Sequence, residues 1–204
     1  MSAFAKNSRG VTLVELLVAI GIFTIISMGA GWILIQSIRH NGIIFEQLSS
    51  QSEGRKAVQH VIDVVRKAEL SSVGSYPIAS ASSTELILYA NVDADSLRER
   101  VRFWLDGTTL KQGVLKPSGN PISYTGTEYV VELAHYITNS AQSIPTFVYY
   151  DELYTGSQNP LASPVTVTDI RLVKVQLNLE KDANKSPVPL HVESVVEIRN
   201  LKSN

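Results

Sequence analysis

The sequence has no cysteine, which excludes a disulfide framework, a thiolate metal site and a cysteine nucleophile. Histidine is scarce. His40, His60, His135 and His191 stand far apart, without His-x-x-x-His or His-Glu-x-x-His spacing, so no zinc site is legible. Gly-x-Ser-x-Gly and Walker-type phosphate loops are missing too. Nor is there an excess of one charge. The formal net charge is -1, from 18 basic and 19 acidic side chains, and no basic patch marks a nucleic-acid partner. The chain therefore shows no catalytic constellation and implies no cofactor.

One stretch is as marked by what it holds as by what it lacks. From Leu16 to Ile35 no charged side chain occurs, and a helix of that length rises roughly 30 Å, enough to cross the hydrocarbon core of a bilayer. Ahead of it stand Lys6, Arg9 and Gly10, then Val11-Thr12-Leu13-Val14-Glu15. Glu15 is the anomaly. A carboxylate at the edge of a spanning helix is costly unless it finds a cationic partner, and is read as functional by default. Lys6 and Arg9 precede the span, whereas Arg39 and His40 beyond it are soon balanced by Glu46 and Glu53. This asymmetry places the C-terminal part outside the cytoplasm.

Lys6, Arg9 and Gly10, followed by Val11-Thr12-Leu13-Val14-Glu15 and the apolar run, resemble the leader and start of a type IV pilin or pseudopilin precursor. The resemblance implies cleavage between Gly10 and Val11 by an inner-membrane prepilin peptidase, with Lys6 and Arg9 addressing the enzyme. It implies N-methylation of the new amine on Val11 and a subunit stored in the lipid bilayer before entering a filament. Glu15, with Thr12 beside it, would serve assembly, its carboxylate pairing with the terminal amine of a neighbouring subunit. The implied partners are other pilin subunits, the peptidase and an inner-membrane assembly platform. Two departures orient the resemblance. Val11 stands where the family most often has Phe, and Trp32 stands where major pilins often carry Pro, so the wording is closer to minor pilins and the larger pseudopilins. Many Gram-negative pilins close a C-terminal loop with a disulfide; here strand pairing must do so.

Other readings cover less of the pattern. A secretory signal peptide has a basic start and an apolar core, but its core seldom holds a carboxylate, and Met28-Gly29-Ala30 is a poor small-x-small cut site. An uncleaved signal anchor leaves Glu15 and Gly10 unexplained. A membrane-anchored extracytoplasmic binding domain that never polymerises is the alternative function.

The chain divides into residues 1–10 as a cleaved leader, 11–38 as a transmembrane or filament-core helix, 39–70 as an amphipathic continuation of that helix, and 71–204 as an extracytoplasmic β-rich domain. Ile44, Leu48, Ala57, Val58, Val61, Ile62, Val65 and Ala68 recur at helical spacing among charged residues. Gly42 is the expected bend. Residues 71–83 read as a loop. Strands are expected at residues 84–90, 100–105, 108–112, 146–150, 169–179 and 190–201, with a tight reversal at Asp106-Gly107 and a closing hairpin joined by residues 181–187. Thr125 and Glu128 have capping-box spacing before Val130, Val131, Ala134 and Ile137, which predicts a short helix. A long helix followed by a mostly antiparallel sheet is α+β, and matches the pilin fold that the resemblance implies.

Two clusters in the soluble part invite a chemical reading. Asn91-x-Asp93-x-Asp95 puts oxygen ligands at alternate positions, as calcium loops do, but has no glycine at the bend and Arg102 at the twelfth position, so an ordinary acidic loop is the simpler expectation. Asp151-Glu152 beside Tyr149, Tyr150 and Tyr154 could hold a sugar, though a strand end with aromatics inward and acids outward explains it as well.

Overall fold

The computed structural model describes residues 10–181 and 189–201, with residues 39–48 described as backbone only. The chain divides into two compact units, Met1–Phe45 and Glu46–Asn204. A single helix, α1 (Leu13–Arg66, 54 residues), begins in the first and ends in the second. Its hydrogen-bonded path continues through Gly29, Gly31 and Gly42.

In the second unit α1 carries a continuous apolar stripe. Ala57, Val58, Val61, Ile62 and Val65 are all buried, at the i, i+1, i+4 spacing that lines one face of a helix. The helix closes at Arg66, where the Lys67 and Ala68 amides bond to the Val64 and Val65 carbonyls and so tighten the last turn.

Two antiparallel sheets complete the core. The first is a meander of β1 (Ile78–Ala81), β2 (Glu85–Ala90), β3 (Glu99–Asp106), β4 (Thr109–Leu115) and β5 (Tyr129–Ala134), in sequence order. The second holds β6 (Phe147–Tyr150), β7 (Leu172–Leu179) and β8 (Leu190–Glu197). Alternation decides what each strand buries. On β3, Val101 and Phe103 are fully buried while Arg100, Arg102 and Trp104 stay half-exposed. Phe103 on β3, Leu86 and Leu88 on β2, and Val173, Val175 and Leu177 on β7 join the α1 stripe in one core. On the opposite face Arg102 lies 4.4 Å over the Trp104 ring and pairs with Glu85 at 2.6 Å.

The β3–β4 hairpin forms as expected, shifted by one residue. Asp106 pairs with Thr109, which leaves Gly107-Thr108 as the two-residue loop. Gly107 has φ +60°, a conformation open to glycine without Cβ strain. The closing hairpin is present as β7–β8, with Leu179 opposite Leu190; residues 182–188 of its connection lie outside the described residues.

Two local expectations are overturned. Residues 129–134 form strand β5 on the edge of the first sheet rather than a helix. The Glu128 carboxylate, expected to cap that helix, instead takes Arg100 at 3.0 Å and Arg102 at 3.8 Å, and the run Tyr129-Val130-Val131 favours a pleated surface. Gly113 on β4 makes room for this arrangement, since a Cβ there would lie 2.7 Å from Glu128 Oε2. The stretch expected as loop through Ser83 contains edge strand β1, which pairs with β2 across a bulge between Ile78 and Ser80. Its small residues give little β propensity, and the burial of Ile78 supplies what they lack.

One polar tie links α1 to β5. His135 Nδ1 lies 2.7 Å from Glu53 Oε1, which also accepts the His135 amide at 2.9 Å, and His135 Nε2 lies 3.0 Å from Glu132 Oε2. Only the imidazolium donates from both ring nitrogens. The Glu53 bond first, and the Glu132 bond second, therefore hold His135 above the ordinary histidine range, while His135 and then Lys111 hold Glu132 below the usual carboxylate range. The histidine contribution is complete below the unfolded value of about 6.5 and is lost as pH rises through the raised one; the Glu132 contribution is lost only in acid. In urea unfolding of the detergent-solubilised chain, the stability advantage of wild type over His135→Gln should be largest near pH 6 and shrink by about pH 9. A constant difference across that range would show that the imidazolium is not what stabilises the tie.

Candidate functional site: the N-terminal segment

The site begins where the described residues begin. Lys6 and Arg9 lie outside them; Gly10 and Val11 are exposed and precede the helix. A Cβ built on Gly10 would meet nothing within 4 Å, so no contact among the described residues requires glycine there.

The helix starts on a reciprocal cap. The Glu15 amide donates to Thr12 Oγ1 at 3.3 Å, and the Thr12 amide donates back to Glu15 Oε2 at 3.0 Å. The Thr12 hydroxyl also donates to Glu15 Oε2, at 3.0 Å, and the Leu16 amide reaches the Thr12 carbonyl at 3.1 Å. This is a capping box, with Thr12 as N-cap and Glu15 three residues on, its charge at the positive end of the helix dipole. Both residues were expected to serve assembly, and the contact between them is new. The signal was present as Thr-x-x-Glu before an apolar run.

Leu13–Ile38, which includes Glu15, is the one helical segment among the described residues that is long and apolar enough to cross a membrane, with mean hydropathy 2.2. Its large side chains are exposed on every side, including Leu17, Phe23, Met28, Trp32 and Ile38. A soluble surface helix hides one stripe; a helix apolar all round demands an apolar medium all round. Gly21, Gly29 and Gly31 also have open space where a Cβ would be.

Residues 5–31 match the prokaryotic N-terminal methylation motif. The chain carries a prepilin signal. This is the signal of type IV pilins and pseudopilins, and it supports a type IV pilin-like protein that is anchored by its apolar helix, cut by prepilin peptidase and assembled with other pilin subunits. No curated protein matches the chain.

The remaining candidates are placed as follows. Tyr149 is buried with its hydroxyl donating to the Ser82 carbonyl at 2.8 Å, and burial pushes its phenol well above the usual tyrosine range. It is thus a core residue rather than a sugar platform; Tyr150 packs on Tyr154 at 4.0 Å between ring centres. Asp93 and Asp95 come together in the β2–β3 connection, joined by Glu99, which the sequence analysis missed because its partners in that cluster are set by where β3 begins. Asn91 turns its amide N–H to the Asp95 carbonyl at 2.6 Å. His60 pairs with Gln112 at 2.8 Å and His191 with Asn178 at 2.6 Å, so these two histidines have separate polar partners.

Removing the Thr12 hydroxyl should loosen the first turn. Loss of an N-cap costs about 1 kcal/mol, so amides at the start of α1 in Thr12→Ala should exchange with solvent about five-fold faster than in wild type in the same micelles. Unchanged exchange would mean the box does not hold the helix start.

Proposed function

We propose that this chain is a non-enzymatic structural subunit, a minor pilin or pseudopilin, of a type IV pilus, type II secretion or competence-type filament. One observation carries the reading: a membrane-length helix with exposed apolar side chains on every side holds a carboxylate in its first turn and starts three residues after a glycine that no contact among the described residues requires. Each part calls for an external partner. The helix asks for lipid in the stored subunit and for neighbouring helices in the filament. Gly10 answers to a peptidase that needs close access to the backbone, with Lys6 and Arg9 on the cytoplasmic side. Val11 becomes the first mature residue and carries the methylated amine.

Glu15 pairs with the amine of a neighbouring subunit. A carboxylate and an ammonium leaving water together are strongly coupled, because apolar surroundings raise the Coulomb attraction between them. The absence of Pro at Trp32 and of Phe at Val11 supports a minor rather than a major subunit. The second unit is then displayed outside the cytoplasm.

Mass spectrometry of the mature N-terminus tests the processing. The expected chain begins at Val11 and is one methyl group heavier than the unmodified peptide. A chain starting at Met1, or cut well beyond Gly10, would sink the reading. Glu15→Ala should still be cut after Gly10 yet fail to enter filaments, as judged by crosslinking to neighbouring subunits and electron microscopy. Equal incorporation of wild type and variant would remove the proposed role of Glu15, while a correctly anchored wild-type chain with no filament neighbours would favour a binding domain that never polymerises.

A further inference from the structure

The C-terminal end of α1 meets the segment that follows β8. Arg199–Leu201 forms a single 3-10 turn, and Asn200 Nδ2 donates to the Ala68 carbonyl at 2.9 Å, which pins that turn against the end of the helix. Residues 132 positions apart thereby become neighbours. Between them lies an open cleft of about 720 Å³, lined by Asp63, Arg66, Lys67, Arg199 and Asn200. Three cations stand there against one carboxylate, a formal charge of +2 in a chain whose formal net charge is -1.

The carboxylate does little to offset this excess. Asp63 Oδ1 accepts from Gln59 Nε2 at 2.9 Å and lies 3.8 Å from Arg66 Nη1, a long pair between exposed side chains of the kind that contributes little. Lys67 and Arg199 have no carboxylate partner among the described residues. Nor are these cations spent on the helix end. A basic residue in the last turn ordinarily answers open carbonyls there, but the Val64 and Val65 carbonyls already take the Lys67 and Ala68 amides, and the Ala68 carbonyl takes Asn200. Arg199 belongs to a different element altogether. In the sequence Arg66 and Lys67 read as the wet side of an amphipathic helix; the turn after β8 gives them a third cation and a shared cleft.

We propose that this cleft binds a dianionic phosphate group, with Arg66, Lys67 and Arg199 as its donors. A phosphate monoester carries about -1.5 to -2 charge at neutral pH, which matches the excess in the cleft, whereas a single carboxylate leaves it half answered. Guanidinium forks grip phosphate oxygens two at a time, and the Lys67 ammonium adds a compact point charge. The cleft is larger than a phosphate ion, so the group arrives on a larger body, either a free phosphate ester or a phosphorylated lipid headgroup. Such a site would stand whether or not the chain enters a filament.

The test is calorimetric titration of glycerol 3-phosphate into the full chain in non-ionic detergent, with sodium chloride holding the ionic strength constant. Saturable binding of one ester per chain in the millimolar range is expected. Lys67→Ala and Arg199→Ala should each weaken it about ten-fold, the loss of one charge-assisted hydrogen bond, while Asp63→Asn should tighten it several-fold by leaving Arg66 to the ligand alone. All three positions are exposed, and circular dichroism should show each variant folded like wild type. Short-chain phosphatidic acid, titrated in the same way, separates the two sources. Binding that Arg199→Ala weakens, and that is tighter than for glycerol 3-phosphate, assigns a lipid headgroup; equal or weaker binding assigns a soluble ester. No saturable binding of either compound would overturn the proposal, as would binding that both Lys67→Ala and Arg199→Ala leave intact. So would chloride competing as well as inorganic phosphate, or an oligonucleotide, whose phosphodiesters carry one charge each, binding as tightly as the ester.

Discussion

Everything in this protein follows from the need to surround a helix that has no polar side. Between Leu13 and Ile38 the apolar side chains point in every direction, and among the described residues nothing covers them. The hydrophobic effect is indifferent to what does the covering, provided that it is not water. A bilayer and a bundle of like helices both meet that condition, so on the proposed function one segment would serve storage and assembly without changing its fold. The second unit obeys the opposite rule. There the same helix buries one stripe against its own chain and leaves its charged residues in water, and its core needs no outside partner.

The glycines record this difference. At Gly54 a Cβ would lie 2.8 Å from Leu179 Cδ1, so the close approach of α1 to the end of β7 depends on the missing side chain. At Gly21, Gly29 and Gly31 nothing in the chain constrains the choice. On the proposed function, small residues there would allow close backbone approach to neighbouring helices in lipid.

Much of this was legible in the sequence because it rests on period and composition. The apolar run, the Val58-Val61-Ile62-Val65 stripe, the hairpin at Gly107 and the pairing of β7 with β8 are each signalled by spacing within one segment. What was misread depends on partners distant in the chain. Glu128 reads as a cap until Arg100 and Arg102 claim it from the neighbouring strand, and Ile78 reads as loop until β2 lies beside it. Glu99 escaped for the same reason: its burial and its proximity to Asp93 and Asp95 are products of tertiary structure, invisible to a motif that counts only alternate positions. The Thr12–Glu15 contact is the exception, local and signalled, hidden because the carboxylate had already been given a more remote use.

That contact has a bearing on the cut proposed at Gly10. Every atom of the capping box, donor and acceptor alike, belongs to residues on the C-terminal side of the Gly10–Val11 bond. The box itself is therefore complete within residues 12–15. On the proposed processing, removal of residues 1–10 keeps every atom of the box and adds an ammonium on Val11 at the positive end of the helix dipole, where an outside carboxylate, or Glu15 of another copy, would be the favourable neighbour.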